Sequence, residues 1–123
     1  MRKWRERGFA ERMHFFKNLP IATYVRLMKQ TACLIGNSSS GIREGAYIGT
    51  PVVNLGSRQR NREHGTNVIH IAHDCSAIAE ALQRQLTHGA YPSEPIYGNG
   101  NAGQAVADIL ASQQVQVQKQ MTF

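Results

Sequence analysis

Between Cys33 and Leu55 the chain runs from a short apolar stretch through Gly36-Asn-Ser-Ser-Ser-Gly41, a helical segment and Gly49-Thr-Pro51 into a second apolar stretch. Apolar runs this short, rich in branched residues and bounded by Gly and Pro, read as buried strands. Two such strands joined through a helix lie parallel, because a tight hairpin cannot connect parallel neighbours. The same alternation continues on either side. Met13–Leu19, with Phe15 and Phe16, reads as a strand halted by Pro20. Ile21–Gln30 carries Ile21, Tyr24, Val25 and Met28 at helical spacing. Gly41–Ile48 is a helix ended by Gly49. Val52–Leu55 and Val68–Ile71 are strands. Ser76 caps a helix to about Leu86, with Ile78, Ala79, Leu82 and Leu86 facing inward. Ala102–Ser112 is the last helix, and a basic helix closes at Gly8. The fold class is therefore α/β with a Rossmann-like parallel sheet of four strands. A nucleotide-binding lobe of this kind usually has about six, and the chain opens in mid-helix, so it reads as part of one lobe.

A Gly/Ser turn between a strand and a helix leaves backbone N–H groups and hydroxyls converging on one spot, a seat for a phosphate-sized anion. Arg58, Arg60 and Arg62 follow the second strand closely. With 14 Lys and Arg against 8 Asp and Glu, the formal net charge is +6, which suits an anionic ligand. It does not choose between nucleotide, nucleic acid and acidic membrane. Nucleic acid is disfavoured because aromatics do not alternate with the basic cluster at Arg2–Arg12 as stacking platforms require. No apolar run approaches the roughly 20 residues that span a bilayer, and the basic N-terminus lacks the apolar stretch of a secretory signal. The two cysteines, Cys33 and Cys75, form no CxxC pair. Cys33 is expected buried in a strand, and a cytoplasmic setting follows. The five histidines show no metal spacing, so no metal and no cofactor are assigned. His70 reads as a satisfied core or edge residue.

The run Gly36-Asn-Ser-Ser-Ser-Gly-Ile-Arg-Glu44, followed by Gly49-Thr-Pro-Val-Val-Asn-Leu-Gly-Ser-Arg-Gln59, resembles the hydrolysing UDP-N-acetylglucosamine 2-epimerases of the sialic-acid type. Lys17-Asn-Leu-Pro20, Asn67-Val-Ile-His70 and Tyr97-Gly-Asn-Gly-Asn-Ala102 agree more weakly. The pattern has Gly where this chain has Asn61. The resemblance implies the two-lobed GT-B fold, similar to glycogen phosphorylase, with residues 1–112 forming a partial C-terminal UDP-binding lobe and 113–123 a flexible tail. It implies that Ser38 and Ser39 bind the UDP phosphates, that Glu44 holds the ribose hydroxyls, that Arg58 contacts UDP, and that the backbone of Leu19 pairs with the uracil edge. Gly41 would let the backbone approach the ligand.

Each of these residues also has a plainer reading: helix capping for the serines, a turn for Gly41, a dipole-stabilised carboxylate for Glu44 and an open strand end for Leu19. Arg43, Arg60 and Arg62 read as solvated or structural. The implied activity is hydrolysis of UDP-N-acetylglucosamine to N-acetylmannosamine and UDP. The acid/base carboxylates of the N-terminal lobe have no counterpart here, so no catalytic residue is assigned and the chain is expected inactive alone. Its expected partners are UDP or UDP-N-acetylglucosamine, a separate N-terminal lobe or further copies of itself. A stand-alone nucleotide-sugar-binding module and part of a GT-B glycosyltransferase are the alternatives.

Overall fold

The computed structural model describes residues 13–114; the basic helix expected at the N-terminus and most of the expected tail lie outside them. Eight elements follow in order: α1 (Ile21–Gln30), β1 (Leu34–Gly36), α2 (Ser39–Ile42), α3 (Glu44–Ile48), β2 (Val52–Leu55), β3 (Val68–Ile71), α4 (Cys75–His88) and α5 (Ala102–Ser112). The three strands form one parallel sheet in the order β1-β2-β3, with Leu34 opposite Val52 and Val52 opposite Val68. This is a small α/β unit, consistent with part of a lobe of a GT-B-like fold.

Register explains the layers. Leu34, Val52 and Val68 share one face of the sheet, since side chains alternate along a strand. Buried Ile42 of α2 packs with Val52 and Val68, and Leu34 lies against the same cluster. On the opposite face Val53 is fully buried where α4 packs on β2 and β3. Its neighbour Ile35, on the edge strand β1, stays 47% exposed. Helix α1 packs on α3, where it buries Met28, and the Thr50 hydroxyl donates to the Met28 carbonyl at 3.0 Å.

Four expectations are corrected. Met13–Leu19 is not a strand: the segment joins no sheet, and Phe16 is 65% exposed. An apolar run becomes a strand only when an edge pairs with it, and none does here. The helix expected over Gly41–Ile48 starts earlier and breaks in two at Arg43 (φ −86°, ψ −70°), which puts Gly41 inside α2. Helix α4 is capped by Asp74, whose carboxylate accepts from the Ala77 N–H at 2.8 Å and from the Ser76 hydroxyl at 2.6 Å. Its inward face is centred on Ala81 and Gln85; Ile78 and Leu82 are half-buried, while Ala79 and Leu86 are exposed.

Gln85 is buried because every polar atom it brings inside is paired. Its Nε2 donates to the Val52 and Asn67 carbonyls at 2.8 and 2.9 Å, and its Oε1 accepts from the Tyr91 hydroxyl at 2.7 Å. Beyond α4 the chain returns as a strap over the end of α3. The Glu94 N–H donates to the Ala46 carbonyl at 2.9 Å and the Tyr91 N–H to the Gly49 carbonyl at 2.8 Å, while the Ser93 hydroxyl donates to the Tyr47 carbonyl at 2.6 Å. Gly49 ends α3 with φ 79°, and a Cβ there would overlap the Tyr91 carbonyl. Glu94 also accepts from both the N–H and the hydroxyl of Thr66. None of the residues of α5 is buried.

Candidate functional site

In an open parallel sheet the carboxyl ends of the strands face the ligand, because the loops leave there and helix N-termini return there. At the end of β1 the chain turns through Asn37 into Ser38, the N-cap of α2. The Ser38 Oγ accepts from the Ser40 N–H at 3.3 Å and lies 2.7 Å from the Ser40 hydroxyl. That hydroxyl in turn lies 2.9 Å from the Tyr24 hydroxyl of α1. A chain of three hydroxyls therefore links α1 to the start of α2. It faces a hollow of about 540 Å³ lined by Phe16, Lys17, Leu19, Tyr24, Ser38 and Ser40, among others. That volume lies in the range of a site for a molecule of nucleotide size.

Of the residues singled out in the sequence, Leu19 and Ser38 share this hollow. Ser39 is half-buried and does not line it. Gly41 is buried in α2, where an added Cβ would stand 2.9 Å from Leu34 Cδ2 and 3.0 Å from Val52 Cγ1. Contact between helix and sheet thus accounts for the glycine without a ligand. Helix α2 has four residues, too few for a substantial dipole, so hydroxyls and unpaired N–H groups are what this turn offers an anion.

Glu44 opens α3 and lines a second hollow, of about 260 Å³, together with Val25, Arg43, Tyr47 and Tyr97. Its Oε2 is buried without a hydrogen-bond partner among the described residues. The Arg43 guanidinium lies 5.5 Å from the centroid of the Tyr97 ring, a cation–π contact.

Arg58 is exposed in the loop after β2 and lines neither hollow. Its neighbour Gln59 is 3% exposed. Gln59 Nε2 donates to the Asn37 carbonyl at 3.0 Å, tying the loop after β2 to the loop after β1, and its Oε1 is buried and unpaired among the described residues. Arg58 and Ser38 therefore stand at the carboxyl ends of adjacent strands, linked through a buried amide. Asn61 in the same loop has no left-handed backbone, so this chain's path does not need the glycine of the family pattern.

The sequence reading missed Tyr24, Ser40 and Gln59. Tyr24 falls on an apolar helix face, whose spacing does not reveal where a phenol points. Two other readings are amended. Cys33 is half-buried just ahead of β1, and burial pushes its thiol pKa up. His70 is only partly satisfied: Asn54 Nδ2 lies 2.9 Å from its Nδ1, while its Nε2 is buried and unpaired among the described residues. Burial, then the nearby His64 and Arg60 charges, hold its pKa below the usual histidine value. Among the described residues no three His, Cys, Asp or Glu side chains cluster to hold a metal, and no helix is long and apolar enough to cross a membrane.

Comparison with known proteins places the site in context. The profile of the family described as UDP-N-acetylglucosamine 2-epimerase matches residues 3–111. A UDP-N-acetylglucosamine 2-epimerase of Neisseria meningitidis serogroup B is 30% identical over 86 residues, 70% of this chain and 23% of that protein. A hydrolysing UDP-N,N'-diacetylbacillosamine 2-epimerase of Legionella pneumophila is 32% identical over 98 residues, 80% of this chain and 26% of the relative. A hydrolysing GDP/UDP-N,N'-diacetylbacillosamine 2-epimerase of Campylobacter jejuni is 46% identical over 54 residues, 44% of this chain and 14% of the relative. The aligned stretches span about a quarter or less of each relative's length. With nearly all of its length inside the family profile and its serine turn and arginine loop on adjacent strand ends, the chain belongs to the UDP-N-acetylglucosamine 2-epimerase family.

Proposed function

We propose that this chain is the UDP-binding part of a hydrolysing UDP-N-acetylglucosamine 2-epimerase and that it does not turn over substrate alone. The observation that carries the reading is the hollow at the end of β1, where Leu19 and Ser38 meet beside the Tyr24–Ser40–Ser38 hydroxyl chain. Two of the relatives bear names that specify hydrolysis. Residues 1–112 would form the lobe portion and 113–123 a tail.

In the proposed reaction a base in a separate N-terminal lobe removes the C2 proton of the sugar. The C1–O bond breaks, its electron pair leaves with the diphosphate, and water adds to the unsaturated sugar to give N-acetylmannosamine. The residues of this chain act on the leaving group. Hydroxyls and N–H groups at Ser38 and Ser39, with the Arg58 guanidinium, stabilise the charge that develops on the diphosphate; such fixed donors lower barriers by about 2.7–4 kcal/mol each in enzymes where one has been removed. Glu44, with one oxygen still unpaired, accepts from the ribose hydroxyls. The Leu19 backbone meets the uracil edge.

Isothermal calorimetry with UDP tests this reading. Wild type is expected to release heat, and Arg58→Ala and Ser38→Ala less. Equal heats from all three, or none from any, would overturn it.

A further inference from the structure

A third hollow, of about 290 Å³, opens at the carboxyl ends of β2 and β3, apart from both hollows described above. Its polar lining is Ser57, Arg60, His70 and His73, and every one of these side chains can donate a hydrogen bond. Among the described residues no carboxylate lines it. The nearest acid in sequence, Asp74, is turned to the start of α4, where it accepts from the Ala77 N–H and the Ser76 hydroxyl. Among the described residues no carboxylate pairs with Arg60, which is exposed.

The wall carries unmet polar atoms. Asn54 Nδ2 lies 2.9 Å from His70 Nδ1, and Asn54 Oδ1 and His70 Nε2 are both buried without a partner among the described residues. A buried polar atom left unpaired normally costs free energy unless something completes it. Asn54 itself is 1% exposed and fixed in β2, so the ring is held in place. A cationic guanidinium, a hydroxyl and two imidazoles around a small space with no acid describe a receptor for a compact anion.

We propose that this hollow is a separate seat for a phosphate dianion, free or as a monoester, gripped by Arg60 and Ser57 with His73 as a further hydrogen-bond donor and His70 in its wall. The seat does not depend on the UDP reading: it lies past β2 and β3, whereas Ser38 and Leu19 line the hollow past β1.

The test follows the His70 and His73 ring resonances of the full chain by NMR, at constant ionic strength, during titration with inorganic phosphate and, separately, ribose 5-phosphate. Saturable shifts of both rings are expected with millimolar ligand. Arg60→Gln is expected to weaken them about tenfold, the scale of one charge-assisted hydrogen bond, and Ser57→Ala to weaken them less. Arg60→Gln should leave UDP heats unchanged. Saturation by both probes would make free phosphate a ligand, and saturation by ribose 5-phosphate alone would make the ligand a monoester. The proposal is overturned if neither probe gives saturable shifts, if Arg60→Gln binds as wild type does, or if saturating UDP displaces the phosphate, since the hollow would then belong to the UDP site.

Discussion

Gln85→Leu removes a buried polar hub while nearly preserving side-chain volume. The hub makes three hydrogen bonds: to the Val52 carbonyl at 2.8 Å, to the Asn67 carbonyl at 2.9 Å and from the Tyr91 hydroxyl at 2.7 Å. Its loss is not felt equally at each partner. The Asn67 carbonyl keeps a bond from the Val52 N–H at 2.8 Å, and Tyr91 is only half-buried, so its hydroxyl can turn to water. The Val52 carbonyl, on a strand residue 3% exposed, is left with its ladder partner on β3 alone. At about 1 kcal/mol net per bond, the three lost bonds cost about 3 kcal/mol. Against the 5–15 kcal/mol typical of a folded domain that is a large fraction. For a domain of this size it lowers Tm by roughly 12–24 °C. Urea unfolding followed by circular dichroism measures it: the midpoint falls while the slope holds. Gln85→Glu should be worse than Gln85→Leu near neutral pH, because an anionic oxygen then faces two carbonyls. A Gln85→Leu protein within about 0.5 kcal/mol of wild type would refute the reasoning, since that is the scale of an ordinary surface change.

Two further outcomes follow from the same geometry. Gln59→Ala cuts the tie between the loops after β1 and β2; UDP affinity is expected to fall about tenfold, the effect of losing roughly 1.4 kcal/mol of positioning, and thermal denaturation shows whether the fold survives with only a modest loss. Because folding depresses the His70 pKa, its contribution to stability is whole above the ordinary histidine value near 6.5 and is lost as pH falls through the folded value below it. Urea midpoints measured from pH 7.5 to 5 should show this slope in wild type and a shallower one in His70→Gln.

Much of the architecture is legible in the sequence because strand and helix periods differ so clearly here. The cores of all three strands and the long helices α1, α4 and α5 follow from runs of apolar residues and their Gly and Pro boundaries. What periodicity conceals is partnership. Met13–Leu19 has a strand's composition but pairs with neither open edge of the sheet. Gln85 has a surface residue's composition but finds a partner for each polar atom it buries. The break at Arg43 is invisible to spacing because both halves remain helical. At the site, the serine turn and the arginine loop are readable as motifs. That Ser38 and Leu19 share one hollow while Glu44 lines another, with Arg58 in neither, is set by how α1, α2 and α3 pack in three dimensions.

The strap from Tyr91 to Glu94 gives Glu44 an unexpected dependence. A helix of five residues cannot sustain itself, since nucleation costs more than so few bonds return. The carbonyls at its far end are instead completed by peptide groups and a serine from chain some 45 positions downstream. The direction of the Glu44 carboxylate is thus governed from outside its own neighbourhood. Substitutions at Tyr91 to Ser93 can retune how firmly that acid is aimed while every residue lining its hollow stays the same.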